Sequence, residues 1–282
     1  MEYITLSRSN GITSKGSPFV TLKLANEDEP ITLAVWDVAP NQGPVVGQLV
    51  SFLNIKDNQG KKSAGLNDMI VRQMAVPEHP LYHLVPHATP RADWDKTIET
   101  LCAFCTDQTL KGIVQEWAPK LYDAYKEYPA ATSVHHAFPG GLVTHTWQML
   151  HMLEGLYPCL PYEIKIERCV LGILFHDYGK QREYDREGNT QEAMYLLGHI
   201  YMSAMALQSI LAKAGVAQDE QYRIVHCILA HHGQRDYGSP VVPCMQEAVI
   251  INLLDNLSAK TDAIEFAGNM EKVFALDTHV VK

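Results

Sequence analysis

The chain has 282 residues and is 46% hydrophobic, which is enough for one large domain or two ordinary ones with a sizeable core. Its net charge of −9 argues against binding to nucleic acid through the net electrostatic attraction of the whole molecule. Residues 1–75 are neutral, with seven Lys plus Arg and seven Asp plus Glu. We find no run of eighteen or more apolar residues and no basic-then-apolar leader, so we expect no membrane segment and a cytoplasmic protein.

The first 75 residues have the pattern of strands and turns. PFVTLKLANEDEPITLAVWDV alternates apolar and polar residues with period two and is broken by a polar turn, which predicts a hairpin. The following segment, up to about residue 75, adds short strands around glycine turns. The sequence therefore predicts about five strands, a number that suits a small β barrel.

Two aromatic residues fall on the polar faces of these strands. Alternation places Val20, Leu22 and Leu24 on the core side of their strand, which leaves Phe19 on the opposite side. In the next strand Trp36 likewise lies opposite the core positions. Exposed aromatic rings can stack on nucleic-acid bases, but they can equally lie under a loop or against a second domain. Both interpretations stay open at this point.

Residues 76–92, with four prolines and no periodicity, are interpreted as a linker. From Asp93 to the end of the chain, apolar residues recur at three- and four-residue steps, which indicates helices. Glycines such as Gly215 and Gly233 mark the ends of helices. The expected architecture is a small all-β domain over residues 1–75, the linker, and an all-α domain over residues 93–282.

Histidines and aspartates on or beside the predicted helices form a candidate metal site. A single histidine that points inward is more often a hydrogen-bonded core residue. Five histidines and two aspartates in one helical domain instead favour metal ligation. Imidazole and carboxylate ligands suit Mn, Fe, Zn or Mg, and seven protein ligands are too many for one ion. We therefore expect two divalent ions, with Asp177 as the bridge between them. The candidate ligands are His145, His176, Asp177, His199, His231, His232 and Asp255.

The order of these residues resembles the HD-domain superfamily of metal-dependent phosphohydrolases. Within that superfamily, five segments of the chain resemble the YhaM family of 3′-to-5′ exoribonucleases, although Ser258 stands where an acidic residue is expected. Those proteins join an N-terminal OB-fold to an HD domain, so the resemblance implies an OB-like barrel before the helical domain. The segments are HHAFPGGLVTHT, LFHDYGK, LLGHI, AHHG and LLDNLSAK.

The resemblance implies hydrolysis of phosphodiesters by two metal ions, with manganese preferred over Fe, Zn, Ni or Mg. It assigns His145, His176, Asp177 and Asp255 to one ion, and Asp177, His199, His231 and His232 to the other. One of the paired histidines, His231 or His232, could instead protonate the leaving oxygen.

Three further residues are candidates for contact with the substrate. Lys180 could hold a phosphate oxygen as a point charge, or it could be an ordinary solvated lysine. His135 and His136 precede a Pro-Gly-Gly turn and could contact the phosphate or cap that turn. With Phe19 and Trp36 on the barrel, they complete the expected substrate-binding set.

The leading hypothesis is a metal-dependent 3′-to-5′ exonuclease that degrades single-stranded RNA or DNA to nucleoside monophosphates. Two alternatives remain. One is a phosphohydrolase of small nucleotides or cyclic dinucleotides, and the other is a non-catalytic nucleic-acid-binding protein, because fold alone does not fix function. The sequence does not indicate an oligomeric state.

Overall fold

The computed structural model describes residues 1–28, 30–39, 42–132, 135–186, 188–265, 270, 272–273 and 276–281. Within these residues, one seven-stranded sheet forms the N-terminal part and nine helices follow it. This arrangement confirms the expected fold class, a small all-β N-terminal domain followed by a helical HD-type domain. A two-stranded hairpin near the C-terminus, which the sequence did not predict, is added to the helical part.

The sheet is built around a long first strand. Strand β1 pairs antiparallel with β2 through Ile4–Ile12 and with β4 through Glu2–Ile4, and its register shifts between Thr5 and Ser7. Strands β3 and β6 are parallel, and the spatial order is β5-β6-β3-β2-β1-β4-β7. The strands are β1 Glu2–Ile12, β2 Pro18–Ala25, β3 Ile31–Trp36, β4 Gln48–Phe52, β5 Lys56–Asn58, β6 Lys61–Gly65 and β7 Met69–Met74.

The predicted faces of β2 and β3 agree with their burial. Val20, Leu22 and Leu24 are fully buried, as are Leu33 and Val35 of the neighbouring strand. They pack together in the barrel core because side chains two residues apart point to the same side of a strand. Seven strands are present instead of about five. The predicted hairpin is β2 and β3, four short strands follow it around the glycine turns, and β1 lies in a segment for which the sequence predicts no individual strand.

A second apolar cluster joins the barrel to the rest of the chain. Ile4 and Leu49 from the barrel pack with Leu81 and Val85 from the proline-rich segment and with Phe138, which precedes the third helix. Leu81 and Val85 are both buried. The segment between Met74 and the first helix is therefore anchored along the barrel by apolar contacts.

The helical part surrounds one central helix. Almost every residue of α4 is buried, and the helix contacts α2, α3, α8 and α9. Among the residues described, no helix combines the length and the apolar character needed to cross a membrane. The helices are α1 Arg91–Phe104, α2 Gln108–Tyr125, α3 Gly141–Leu156, α4 Ile166–Phe175, α5 Lys180–Glu183, α6 Glu192–Leu196, α7 His199–Lys213, α8 Gln218–Leu229 and α9 Gln246–Glu265, followed by strands β8 Lys272–Val273 and β9 Thr278–His279.

One arginine ties α4 to the two helices that pack on it. Arg168 donates to both carboxylate oxygens of Glu220 on α8, at 2.8 and 2.7 Å, and to Oε1 of Glu247 on α9, at 3.0 Å. The same Glu247 oxygen accepts a hydrogen bond from the backbone N–H of Lys165, just before α4. All three charged side chains are largely buried, so the network fixes the relative positions of α4, α8 and α9.

We expect Arg168→Met to destabilise the fold, because it leaves Glu247 without its cation and leaves Glu220 with Lys165 alone, at 3.5 Å. The cost should be roughly 2 kcal/mol, at the lower end for a buried pair that loses one partner. Urea denaturation followed by circular dichroism measures it. Arg91→Met is the matched control, since Arg91 pairs with Asp95 at the surface and such pairs contribute less than about 1 kcal/mol. Equal losses in both variants would contradict a bracing role for Arg168.

Candidate metal centre and active site

The carboxylate of Asp177 lies between two groups of histidines. The side chain follows the C-terminal end of α4 and is only 2% exposed. Its Oδ2 lies 3.2 Å from His176 Nε2 and 3.9 Å from His145 Nε2. Its Oδ1 lies 3.5 Å from His199 Nε2 and 3.9 Å from His231 Nε2. Each oxygen of one carboxylate thus faces a different cluster.

The first cluster consists of His145, His176 and Asp255, which come from α3, the end of α4 and α9. His145 Nε2 lies 3.2 Å from His176 Nε2 and 3.1 Å from Asp255 Oδ1. One donor atom from each of the three residues lies within 4.8 Å of the others. Ligands from three helices therefore converge on a volume suited to one ion.

The second cluster consists of His199, His231 and His232, whose donor atoms also lie within 4.8 Å of one another. His199 is the first residue of α7, and the other two follow the end of α8. The structure therefore brings the six other predicted ligands together around Asp177.

The outer nitrogens of the histidine rings are occupied by hydrogen bonds. The Nδ1 atoms of His176, His231 and His232 lie 2.7, 2.6 and 2.7 Å from backbone carbonyls. A carbonyl only accepts, so each Nδ1 carries the proton and each Nε2 presents its lone pair to the centre. Such outer contacts are what orient metal-binding histidines.

His199 and His145 have side-chain partners instead. His199 Nδ1 lies 3.1 Å from Oε1 of the buried Glu183, which also accepts from the His199 backbone N–H. His145 Nδ1 lies 2.9 Å from Ser258 Oγ, and Ser258 in turn donates to Gln148 Oε1 at 2.7 Å. Ser258, at the expected acidic position, therefore accepts a hydrogen bond from the His145 Nδ1–H. Its own hydroxyl donates a hydrogen bond to Gln148.

The chemistry of these residues fits divalent cations. Asp177 Oδ1, His199 Nε2 and His231 Nε2 are buried and have no hydrogen-bond partner among the residues described. Leaving buried polar atoms unpaired costs about 1–3 kcal/mol each, so three of them facing one centre fit a site that binds a cation. Nitrogen and oxygen donors without sulphur suit Mn, Fe, Zn, Ni or Mg.

Electrostatics favours the metal-binding protonation states of His231, His232, Asp177 and Asp255, whereas Asp177 outweighs burial and raises the pKa of His176. Burial, assisted by neighbouring histidines, holds the pKa of His231 well below its usual value and also lowers the pKa of His232. Burial alone would raise the pKa of Asp177 and Asp255, but His176 and Lys180 beside Asp177, and His145 hydrogen-bonded to Asp255, outweigh it and lower both pKa values. At neutral pH the centre offers neutral imidazoles from the end of α8 and ionised carboxylates.

Comparison with known proteins follows this geometry. A family model described as HD domain matches residues 142–260. The 3′-5′ exoribonuclease YhaM of Geobacillus sp. (strain WCH70) is 30% identical over 281 residues, which cover 95% of this chain and 83% of that protein. The chain belongs to the YhaM family.

Other relatives agree. The proteins of the same name from Bacillus pumilus (strain SAFR-032) and Bacillus subtilis (strain 168) are 29% and 28% identical over 294 residues, which cover 96% of this chain and 90% of each relative. No solved structure matches the chain. The family and its HD domain make the chain a hydrolytic, metal-dependent nuclease.

Two glycines allow the loops of this YhaM-family site to approach closely. A Cβ atom on Gly179 would lie 2.5 Å from the carbonyl oxygen of His199, and one on Gly141 would overlap the carbonyl oxygen of His136. Side chains are therefore excluded at both positions. The first glycine brings the start of α7 against Asp177, and the second brings the His135-His136 loop onto the start of α3.

The His135-His136 loop lies beside the first cluster. The backbone N–H of His136 donates to Asp262 at 2.6 Å, and His136 Nε2 lies 3.1 Å from Gln148 Oε1. The ring of His135 lies 5.5 Å from that of His145. Burial lowers the pKa of His135 to about 3 and that of His136 to about 2, so both rings are neutral at neutral pH.

Lys180 is not a solvated lysine. Its side chain is 10% exposed, and Nζ lies 2.7 Å from Asp177 Oδ2. Burial acts to lower the pKa of Lys180, but Asp177 outweighs burial and raises it, so the ammonium stays charged. A fixed positive charge therefore lies at the edge of the centre.

The two predicted aromatics of the barrel, Phe19 and Trp36, lie on neighbouring strands, and within the described part of the chain neither ring contacts a residue of this centre. They face each other across β2 and β3, with ring centroids 5.2 Å apart. Trp36 is 41% exposed, and the Phe19 ring covers Gly11 of β1. We call this pair the aromatic platform.

Sequence reasoning missed the residues that orient the ligands. Glu183 lies in a polar segment without apolar periodicity, and Gln148 and Asp262 lie on helices where polar residues are ordinary. Only Ser258 stood out, because it departs from the family pattern. The contacts of the other three depend on how α3, α7 and α9 meet, which spacing along the chain does not reveal.

Glu183→Ala should impair binding of one metal more than the other, because Glu183 holds His199 of the second cluster. Removing such an outer partner typically lowers metal affinity 10–100-fold. Isothermal titration of the metal-free protein with Mn²⁺ measures both sites. The control is Glu192→Ala, which removes an exposed carboxylate at the start of α6. A uniform loss at both sites would contradict this division.

Proposed function

We propose that the chain is a 3′-to-5′ exoribonuclease that hydrolyses single-stranded RNA to nucleoside monophosphates with two divalent metal ions, manganese by preference. The observation that carries this proposal is the carboxylate of Asp177, which turns one oxygen to each of two histidine clusters. The RNA substrate and the polarity come from the names of relatives about 30% identical to the chain.

The first ion would be held by His145, His176, Asp177 and Asp255. The second would be held by Asp177, His199, His231 and His232. We retain His231 and His232 as ligands and not as proton donors, because their Nδ1 hydrogens are held by backbone carbonyls. When bound, two such ions lower the pKa of a shared water, orient the phosphoryl group and neutralise charge in an in-line displacement.

The remaining polar groups would position the scissile phosphate. The ammonium of Lys180, held by Asp177, has two further N–H donors for a non-bridging oxygen. The neutral ring of His135 lies on the His145 side of the centre and would donate or accept a hydrogen bond without adding charge. His136 would instead orient the loop, since its Nε2 is engaged by Gln148. Lys180 then stabilises negative charge as it grows on the phosphate.

The aromatic platform would hold the strand outside the centre. Stacking on Phe19 and Trp36 tolerates any base and needs no net positive charge, which suits a barrel whose charge balance is zero. The strand would thus be bound by base stacking on the barrel, and it would be hydrolysed at the metal centre of the helical part.

The direct test is hydrolysis of 5′-labelled single-stranded RNA with Mn²⁺. We expect a ladder that shortens from the 3′ end and releases mononucleotides, with a 3′-phosphorylated RNA more resistant. Asp177→Asn should remove nearly all activity and reduce bound metal measured by elemental analysis, while Asp123→Asn, at the surface, changes neither. Turnover of cyclic dinucleotides alone, or full metal content in Asp177→Asn, would contradict the proposal.

Trp36→Ala should weaken single-stranded RNA binding by roughly 1–3 kcal/mol, the usual scale for a lost base stack. Hydrolysis of a dinucleotide should be nearly unchanged, because so short a substrate need not reach the platform. Fluorescence anisotropy with a labelled RNA measures binding, and Tyr222→Ala, an exposed aromatic on α8, is the control. A collapse in thermal stability instead would show that Trp36 has a packing role.

A further inference from the structure

A cavity of about 440 Å³ lies between the barrel and the helical part of the chain. Its volume is within the range of nucleotide-sized ligand sites, about 300–1,000 Å³. Polar groups and small apolar side chains share the walls. The lining residues used below are Arg8, Asn10, Phe138, Arg186 and Asn189.

Arg8 presents a partly buried positive charge to this cavity. Its guanidinium donates to the carbonyl of Gly43 at 3.2 Å and to Asn10 Oδ1 at 3.3 Å, both neutral acceptors. Among the described residues, no carboxylate lies within salt-bridge distance of it. Burial lowers the pKa of Arg8, and Asp185 opposes this only at longer range. A guanidinium is always charged in proteins, so this site is suited to an anion.

The opposite wall adds a second cation and hydrogen-bonding groups. Arg186 is exposed and pairs with Glu127 at 2.7 Å, an ion pair of the surface type that exchanges readily with other anions. Asn189 lies beside it at the cavity wall. Two arginines across one cavity suit the repeated negative charge of a phosphodiester chain, and arginine binds phosphate oxygens in pairs.

The cavity adjoins the His135-His136 loop beside the metal centre. Arg8 and Phe138 line both this cavity and a smaller one that includes His135 and His136. In β1, Arg8 is directly opposite Leu22 of β2 and so lies on the other sheet face from Phe19. A strand held at the cavity could therefore reach the His135-His136 loop without contacting the aromatic platform.

We propose that this interdomain cavity is a nucleotide subsite that holds the phosphodiester backbone of the RNA strand upstream of the cleavage site, with Arg8 and Arg186 as its phosphate contacts. The proposal rests on the exoribonuclease function proposed above. It would add two cations next to the His135-His136 loop, in a protein whose net charge of −9 would repel the strand.

The test compares Arg8→Ala and Arg186→Ala with wild type on a 12-nucleotide RNA and on a dinucleotide. Affinity for the 12-mer, measured by anisotropy in an Asp177→Asn background, should fall about tenfold or more for Arg8→Ala, the scale of a charged hydrogen bond. Dinucleotide hydrolysis by the single variants should be unchanged. The slope of log affinity against log salt should become shallower by about 0.7 for each phosphate that the variant no longer neutralises.

Arg72→Ala is the matched control, because it removes an exposed arginine from the same barrel outside the cavity. Arg186→Ala covers the case in which Arg8→Ala folds poorly, since Arg186 is exposed. Equal 12-mer affinity and salt slope in both cavity variants and wild type would overturn the proposal. So would a loss confined to adenosine monophosphate binding, which would mark a site for free nucleotides. Failure of wild type to cleave any RNA would instead refute the exoribonuclease function itself.

Discussion

The structure depends on keeping one ionised carboxylate, Asp177, almost fully buried at the end of its most buried helix. Burying a charge is costly unless partners surround it, and here His176, Lys180 and the Nε2 atoms of three other histidines do so. Because α4 is buried almost throughout, it cannot shift to relieve the charge. The ligands on α3, α7, α8 and α9 must therefore come to Asp177, which explains why the helices converge at this point.

That convergence needs close approach as well as attraction. Gly179 and Gly141 remove the side chains that would separate α7 and the His135-His136 loop from the centre. Arg168 then fixes α4 against α8 and α9 through two carboxylates that take no part in the centre. A change in the network of Arg168 with Glu220 and Glu247 would shift the metal ligands, because α4, α8 and α9 carry both the network and ligands of the centre.

Hydrophobic periodicity was sufficient to predict the fold class and the core faces of β2 and β3. The family resemblance named the seven ligands that the structure brings together. Periodicity did not single out β1, in which Tyr3, Ile4 and Thr5 are buried in succession and the register shifts between Thr5 and Ser7. It also could not find Glu183 or Gln148, since a hydrogen bond between residues far apart in sequence depends on helix packing. The position of Arg8 at the cavity could not be predicted either, because its contacts with Asn10 and Gly43 depend on how the barrel folds.

An acidic nuclease must solve the problem of attracting a polyanion without a basic surface. Under the proposed function, few cations would contact the strand: Arg8 and Arg186 at the interdomain cavity, and Lys180 beside Asp177. The platform would bind bases through rings that carry no charge. Long-range attraction would therefore be weak, and affinity would depend on contacts at short range.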